Sequence, residues 1–99
     1  MTKHQLVQLT RARLLRITGF QHSASLVERT LDEAFGILER EFVVKSKARL
    51  SWPGFGTFLS ARTPSRTYRT PAGGQVLIES HRVVRFRMAD DLRRKMKDR

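Results

Sequence analysis

The chain has 99 residues, enough for one domain with a modest core, and it contains no cysteine, which excludes disulfide bonds, thiolate metal sites and thiol nucleophiles. Twenty Lys and Arg residues against nine Asp and Glu give a formal net charge of +11, and fourteen of the basic residues lie in positions 41–99. This excess favours nucleic acid over a membrane surface as the partner. Because the sequence has no long apolar run, we expect no membrane span and no signal peptide.

The N-terminal part of the chain predicts two helices. Thr2 followed by Gln5 forms a capping box at the start of the first helix, and Gly19 marks its end. Ser25 followed by Glu28 predicts a second capping box for the next helix. That helix carries an apolar stripe at helical spacing, too long for one partner helix to cover, so we expect it to face a second subunit as well. The stripe comprises Val27, Leu31, Phe35, Leu38 and Phe42.

The next segment predicts two strands joined by a tight turn. We expect strands at Arg49–Trp52 and Thr57–Arg62, with a Pro-Gly pair in the turn between them. Gly56, just after this turn, permits a close approach that a side chain would block. The aromatic residues around the turn are expected in the core, two of them (Phe55 and Phe58) in the dimer core and the third, Trp52, packed beside them.

The following segment has the composition of an arm. Residues 60–75 have almost no large apolar side chains and carry three spaced arginines among Thr, Ser, Pro and Gly. A strand needs an apolar face to lie on a core, and here neither face has one. We therefore predict an arm over about residues 60–78 that projects from the body and is completed by a polyanion. Its tip is expected at Pro71-Ala72-Gly73-Gly74.

The chain then returns to the body. Gln75–Glu79 is predicted as the third strand, and His81–Arg87 continues it, with apolar side chains on one face and arginines on the other. Asp90 and Asp91 favour the N-terminus of a short final helix, whose end is rich in Lys and Arg, as the helix dipole prefers.

Several of these stretches together resemble the bacterial HU and integration host factor family. The stretches are Gly54-Phe55-Gly56-Thr57-Phe58, Arg66, Arg69-Thr70-Pro71 and Arg82-Val83-Val84-Arg85-Phe86-Arg87. The resemblance covers essentially the whole chain and implies an α+β fold assembled as an intertwined dimer. On this basis the chain is a single domain, with dimerising helices in 1–44, a three-stranded antiparallel sheet with its β-hairpin arm in 45–87, and a C-terminal helix in 88–99.

The resemblance also implies a mode of DNA binding. Two β-arms would wrap the minor groove, and a proline at each tip would wedge between base steps and bend the duplex. Pro71 matches that wedge, and Thr70 stands where the family usually has Asn. Tyr68 could contact a sugar or stack across the hairpin. The predicted DNA-binding residues are Lys3, Lys45, Lys47, Arg62, Arg66, Arg69, Thr70, Pro71, Arg82, Arg85, Arg87 and Arg93.

We therefore predict a non-enzymatic, architectural protein that binds double-stranded DNA mostly without sequence specificity. It is expected to be a homodimer, or a heterodimer with a paralogue, associated with the nucleoid in the cytoplasm of a bacterium or with a phage. No cofactor, metal or small-molecule substrate is expected, because the three histidines lack ligand spacing. Three alternatives stay open: a site-selective bender like integration host factor, an RNA-binding or ribosome-associated protein, and a small nuclease using Asp90 and Asp91.

Overall fold

A computed structural model describes residues 1–97, so Asp98 and Arg99 of the predicted C-terminal helix lie outside the described part. The chain divides into two compact units, Met1–Arg40 and a second unit that begins at Glu41. The elements in chain order are α1 (Lys3–Thr18), α2 (Ala24–Val44), β1 (Arg49–Trp52), β2 (Gly56–Arg62), β3 (Arg66–Arg69), β4 (Gln75–Ile78), β5 (Arg82–Met88) and α3 (Asp90–Lys97).

Helix α1 begins and ends where the sequence predicts. The Thr2 hydroxyl accepts a hydrogen bond from the backbone N–H of Gln5 (3.1 Å), and the Gln5 side chain accepts one from the N–H of Thr2 (2.8 Å), which completes the capping box. At the other end Gly19 adopts the left-handed conformation with φ of 75°, and its N–H donates to the carbonyl of Leu15 (2.8 Å).

Helix α2 begins two residues earlier than predicted, and the proposed capping box at Ser25 is wrong. The side chain of Ser23 accepts the hydrogen bond from the N–H of Leu26 (3.1 Å), so Ser23 occupies the capping position. Ser25 already lies inside the helix, and Glu28 is therefore too far along to reach back to the cap. The carboxylate of Glu28 instead pairs with Lys3 (3.3 Å).

The core of the first unit is small. Val7 of α1 and Val27 of α2 are each only 3% exposed. The N-terminal end of α2 is further tied to α1 by Arg11, whose Nε donates to the carbonyl of His22 (2.6 Å). Val27 is thus buried within its own chain, and its place in the dimer core stays a prediction.

The second unit contains a three-stranded antiparallel sheet in the order β1-β2-β5. Strands β1 and β2 are joined by a tight turn in which Gly54 has φ of 78°, and the N–H of Phe55 donates to the carbonyl of Trp52 (3.1 Å). Gly56 pairs with Met88 across β2 and β5, and Arg62 pairs with Arg82 at the opposite end of the same two strands. The predicted turn and the predicted close approach at Gly56 are both confirmed.

The arm is a separate two-stranded sheet, β3 paired with β4, rather than a direct extension of the main sheet. Both legs are interrupted, at 63–65 and at 79–81, so the predicted continuous return strand is wrong. Pro64 lies in one interruption, and it has no N–H to donate to the ladder. Thr63 and His81 tie the legs together instead, through Thr63 N–H to the His81 carbonyl (3.0 Å) and His81 N–H to the Thr63 hydroxyl (3.2 Å).

The short helix α3 follows the sheet at once. Its first turn carries Asp90 and Asp91, and its last turn is basic, as the helix dipole favours. The carboxylate of Asp91 also pairs with Arg94 one turn later. The N–H of Ala89, just before the helix, donates to the carbonyl of Phe55 (2.9 Å), which anchors α3 to the β1–β2 turn.

Trp52 does not pack in the core of the chain, contrary to expectation. Its side chain lies at the end of β1 and is 63% exposed. It stands opposite Gly56 in the β1–β2 register, and the space beside this glycine is taken up by the Phe86 ring. Trp52 thus stays exposed in the single chain.

Candidate nucleic-acid interface

The arm consists of the paired strands β3 and β4 and the turn that joins them. Every residue of β3 and of β4 is exposed. On one face Arg66 stands opposite Ile78 and Tyr68 opposite Val76, whereas the other face pairs Thr67 with Leu77 and Arg69 with Gln75. Each face therefore combines one arginine with apolar side chains from the returning strand. Strand β4, with Val76, Leu77 and Ile78, is more apolar than the outgoing strand β3.

The tip of the arm is a β-turn with proline at its apex. The N–H of Gly73 donates to the carbonyl of Thr70 (3.0 Å), which places Pro71 and Ala72 at the two central positions. Gly73 has φ of 87°, while among residues 1–97 all residues with positive φ are glycines. Ala72 therefore has negative φ, which makes the turn type I followed by a left-handed glycine, a common three-residue hairpin loop.

Thr70 holds this turn together from both its backbone and its side chain. Its N–H donates to the carbonyl of Gly74 (2.8 Å), and its hydroxyl accepts from the N–H of Gly74 (3.0 Å). The hydroxyl also lies 3.2 Å from the Gly74 carbonyl, to which it can donate. These bonds leave Pro71 exposed at the apex of an organised loop.

One face of the three-stranded sheet carries three arginines. One row across its strands is Arg49–Leu59–Arg85, and on the same face Thr57 stands opposite Arg87. All three of these arginines are exposed. This arginine face meets the arm where Arg85 lines one groove together with Arg66. The predicted placement of Arg85 and Arg87 on one face is confirmed. Arg49, which is not among the predicted DNA-binding residues, joins them because β1 pairs in register with β2.

The opposite face of the sheet is aromatic. The Phe86 ring lies 4.8 Å from the Phe58 ring and 5.3 Å from the Phe55 ring, centroid to centroid. Phe55 and Phe86 nonetheless remain exposed in the single chain, and Phe58 is half-buried. Phe86 was missing from the predicted dimer core, although its alternation with Arg85 and Arg87 indicated the apolar face.

The rest of the predicted dimer core lies along α2. Phe35 is 61% exposed, and Leu31, Leu38 and Phe42 are half-buried. The helix therefore keeps an apolar surface that its own chain leaves partly open to solvent.

The predicted cations near the root of the arm differ in their partners. Lys45 pairs with Glu41 (2.7 Å) one turn earlier. Arg82 points to the end of α2, where its guanidinium donates to backbone carbonyls, among them that of Val43 (2.9 Å). Arg62 makes a long hydrogen bond to the Ser80 hydroxyl (3.4 Å). Lys47 is exposed and lines a groove together with Arg62 and residues of β2.

The two remaining predicted contacts, Lys3 and Arg93, lie outside the sheet and the arm. In the first unit the ammonium of Lys3 pairs with Asp32 (2.9 Å) and Glu28 (3.3 Å), and these hydrogen bonds, Asp32 first, raise the pKa of Lys3. In the second unit Arg93 is exposed on α3.

Acidic and histidine side chains are scattered over residues 1–97. No three His, Cys, Asp or Glu side chains in this part of the chain come together as a metal site would need. Nor does this part contain a helix long and apolar enough to cross a membrane. Asp91, half of the adjacent acidic pair, is engaged by Arg94.

Comparison with known proteins agrees with this geometry. The profile of the bacterial DNA-binding protein family matches residues 1–97. Among solved structures, the chain is similar to the HU protein of Anabaena in a cocrystal with DNA, with a TM-score of 0.76 and 23% sequence identity over 97% of each chain. Curated protein sequences gave no significant match. On the strength of the family match, the chain belongs to the bacterial DNA-binding protein family, which contains HU and integration host factor.

Proposed function

We propose that this protein is an architectural DNA-binding protein of a bacterium or a phage. It binds the DNA duplex as a dimer, bends and compacts it, and catalyses no reaction. The observation that carries this proposal is the arm, in which every residue of β3 and β4 is exposed and each face presents an arginine. A hairpin without a core gains its stabilising contacts from a partner, and guanidinium groups select a polyanion.

The dimer is proposed because the single chain buries so little. Within residues 1–97 the buried apolar side chains are Val7, Val27 and Ala48, while Phe35, Phe55 and Phe86 stay exposed. Burying one such side chain stabilises a fold by about 1.5–3 kcal/mol. Covering the aromatic face and the α2 stripe with a second copy, or with a paralogue, supplies the core that one chain lacks.

The arm fits the minor groove of B-form DNA. Proteins that bind this groove use Arg side chains to follow its width and an apolar wedge to kink the duplex. Here Arg66 and Arg69 lie on opposite faces of the hairpin, and Pro71 is exposed at the tip. Partial unstacking costs a few kcal/mol per base step and is offset by the protein surface that bent DNA can reach. The arginine face of the sheet then receives the DNA backbone.

Binding of this kind carries little sequence information. The minor groove distinguishes mainly A·T from G·C pairs, and a wedge responds to the deformability of a base step. We therefore propose broad binding, in the manner of HU, rather than recognition of one site, and association with the nucleoid. Site selectivity would appear as a large preference for one sequence among duplexes of equal length.

The proposal is tested by competition for a labelled DNA duplex at several salt concentrations. Unlabelled B-form DNA should compete best, and A-form RNA duplexes and single strands should compete poorly, because the grooves of A-form RNA differ in width and depth. With on the order of eight phosphate contacts per dimer, affinity should fall by about 10³–10⁵ between 50 and 200 mM salt. Equal competition by duplex RNA would favour an RNA-binding protein, and nicking of a plasmid in the presence of magnesium would indicate a nuclease.

A further inference from the structure

We propose that Arg82 is a positioning residue, which caps the C-terminal end of α2 from the sheet, and that Arg62 is the member of this cross-strand pair that meets DNA phosphate. The inference rests on the proposed DNA-binding function. It assigns different roles to two arginines that the sequence alone does not distinguish.

The end of α2 needs such a partner. The last four carbonyls of a helix have no partner within the helix, and the end of the helix dipole carries partial negative charge. The N–H of Lys45 satisfies the carbonyl of Glu41 (3.1 Å), but the last turn of α2 contains no basic residue. The helix therefore lacks the local Lys or Arg that often stabilises this end.

Arg82 supplies the missing donors from about 40 residues further along the chain. Its Nη1 donates to the carbonyls of Lys45 (2.9 Å) and Phe42 (3.4 Å), and its Nη2 donates to that of Val43 (2.9 Å). A planar guanidinium can serve several carbonyls at once, whereas an ammonium group is a compact charge without this fork. The arrangement thus depends on arginine and not merely on positive charge.

The cap also resolves a conflict within the sheet. Arg62 and Arg82 stand directly opposite each other in the last pair of β2 and β5 before the legs of the arm are interrupted. Like charges at such positions repel. The carbonyls at the end of α2 hold the Arg82 guanidinium away from that of Arg62. This lowers the repulsion between the two side chains. In the described part of the chain the cations paired with carboxylates are Lys3, Lys45 and Arg94, so the charge of Arg62 is available for phosphate.

The same contacts fix the root of the arm. Arg82 is the first residue of β5, immediately after the interruption at 79–81. Holding it against the end of α2 sets where the returning leg joins the body. Loss of the cap should therefore leave phosphate contacts intact but allow the arm to move relative to the sheet.

The test compares Arg82→Gln, Arg82→Lys and Arg62→Gln with wild type, and uses Arg85→Gln on the arginine face as a control for loss of a phosphate-contacting charge. Three quantities are measured: the slope of log affinity against log salt, the melting temperature, and the closure of short DNA circles at saturating protein well below that temperature. Each phosphate contact contributes about 0.9 to the slope, so Arg62→Gln should lower it by about 1.8 per dimer. Arg85→Gln should lower it similarly.

Arg82→Gln should leave the slope unchanged, lower the melting temperature by about 4–8 °C and reduce circle closure. Arg82→Lys should behave in the same way although it keeps the positive charge. If Arg82→Gln does not fold, Arg82→Lys by itself distinguishes the positioning role from a phosphate contact. A lower slope in Arg82→Gln that Arg82→Lys restores would overturn the proposal in favour of a phosphate contact. Unchanged circle closure in both Arg82 variants would overturn the positioning role. Failure of wild type to bind DNA with a salt-dependent affinity would instead refute the proposed function itself.

Discussion

Gly56 lies so close to Phe86 that a side chain at this position would have to displace its neighbours. A Cβ atom on Gly56 would stand 2.5 Å from Cζ of the Phe86 ring and 2.5 Å from the carbonyl oxygen of Arg87. Side-chain atoms of this kind are essentially never found closer than 3.0 Å to a neighbour. The glycine thus lets the aromatic face assemble over the β1–β2 turn.

Replacing Gly56 by alanine should therefore destabilise the protein. The new methyl group would displace the Phe86 ring or the β5 backbone, and overpacking of this kind costs about 1–3 kcal/mol. Chemical denaturation would measure the change. Gly36→Ala is the matched control, because a Cβ there meets nothing within 4 Å and α2 should gain about 0.5–1 kcal/mol from the added alanine. Equal effects of the two substitutions would contradict the steric explanation.

Phe86 should matter more for assembly than its exposure in one chain suggests. Its ring contacts both Phe55 and Phe58, and the proposed dimer buries all three. Phe86→Ala should cost about 3–5 kcal/mol per subunit and shift sedimentation from dimer towards monomer. The wild-type melting temperature should rise with protein concentration. Phe20→Ala, at an exposed position of the first unit, should change stability by less than about 0.5 kcal/mol. A wild-type monomer at micromolar concentration would rule out this account of Phe86.

The two serines at the start of α2 should differ in effect. Ser23→Ala removes the side-chain acceptor for the N–H of Leu26 and should destabilise the protein by about 1 kcal/mol. Ser25→Ala lies within the helix and should be neutral or slightly stabilising, because alanine has the higher helix propensity. Thermal unfolding of both variants checks this assignment, and the reverse order of stability would restore the cap to Ser25.

Local chemistry explains which parts of the fold could be predicted. The capping box of Thr2 and Gln5, the left-handed Gly19 and the turn at the arm tip depend on residues at most four positions apart. The alternation of β5 likewise separated its arginines from Phe86. Where two local solutions compete, as with the serines at 23 and 25, spacing does not determine which N–H groups are left without partners.

Contacts between residues far apart in the sequence could not be predicted from local patterns. Where both legs of the arm are interrupted, they are tied together by Thr63 and His81, which lie 18 residues apart. The contact of Arg82 with the end of α2 spans about 40 residues, and a basic residue in an arm-proximal strand otherwise indicates a DNA contact. The sequence neighbours of Trp52 indicate a core position, but its side chain is exposed in the folded chain. In each case the position of the side chain depends on tertiary contacts that the local sequence does not specify.

The hydroxyl of Thr70 should be required for bending more than for binding. Thr70→Val keeps the shape of the side chain but leaves the N–H of Gly74 without its side-chain acceptor. The tip should become more mobile, so short DNA circles should close more slowly at saturating protein, while the salt dependence of binding and the melting temperature stay unchanged. Thr70→Ser keeps the hydroxyl and should behave like wild type. If valine and serine perform equally well, the hydrogen bonds of the tip have no part in bending.

Circularisation of duplexes shorter than the persistence length of about 150 bp tests most directly whether the exposed proline at the end of the cationic arm bends DNA. Wild type, Pro71→Ala and a control, Pro53→Ala in the β1–β2 turn, would be compared at saturating protein. Wild type and Pro53→Ala should both close the circles, whereas Pro71→Ala should bind with the same salt dependence and close them poorly. Equal closure by wild type and Pro71→Ala would contradict the proposed mechanism.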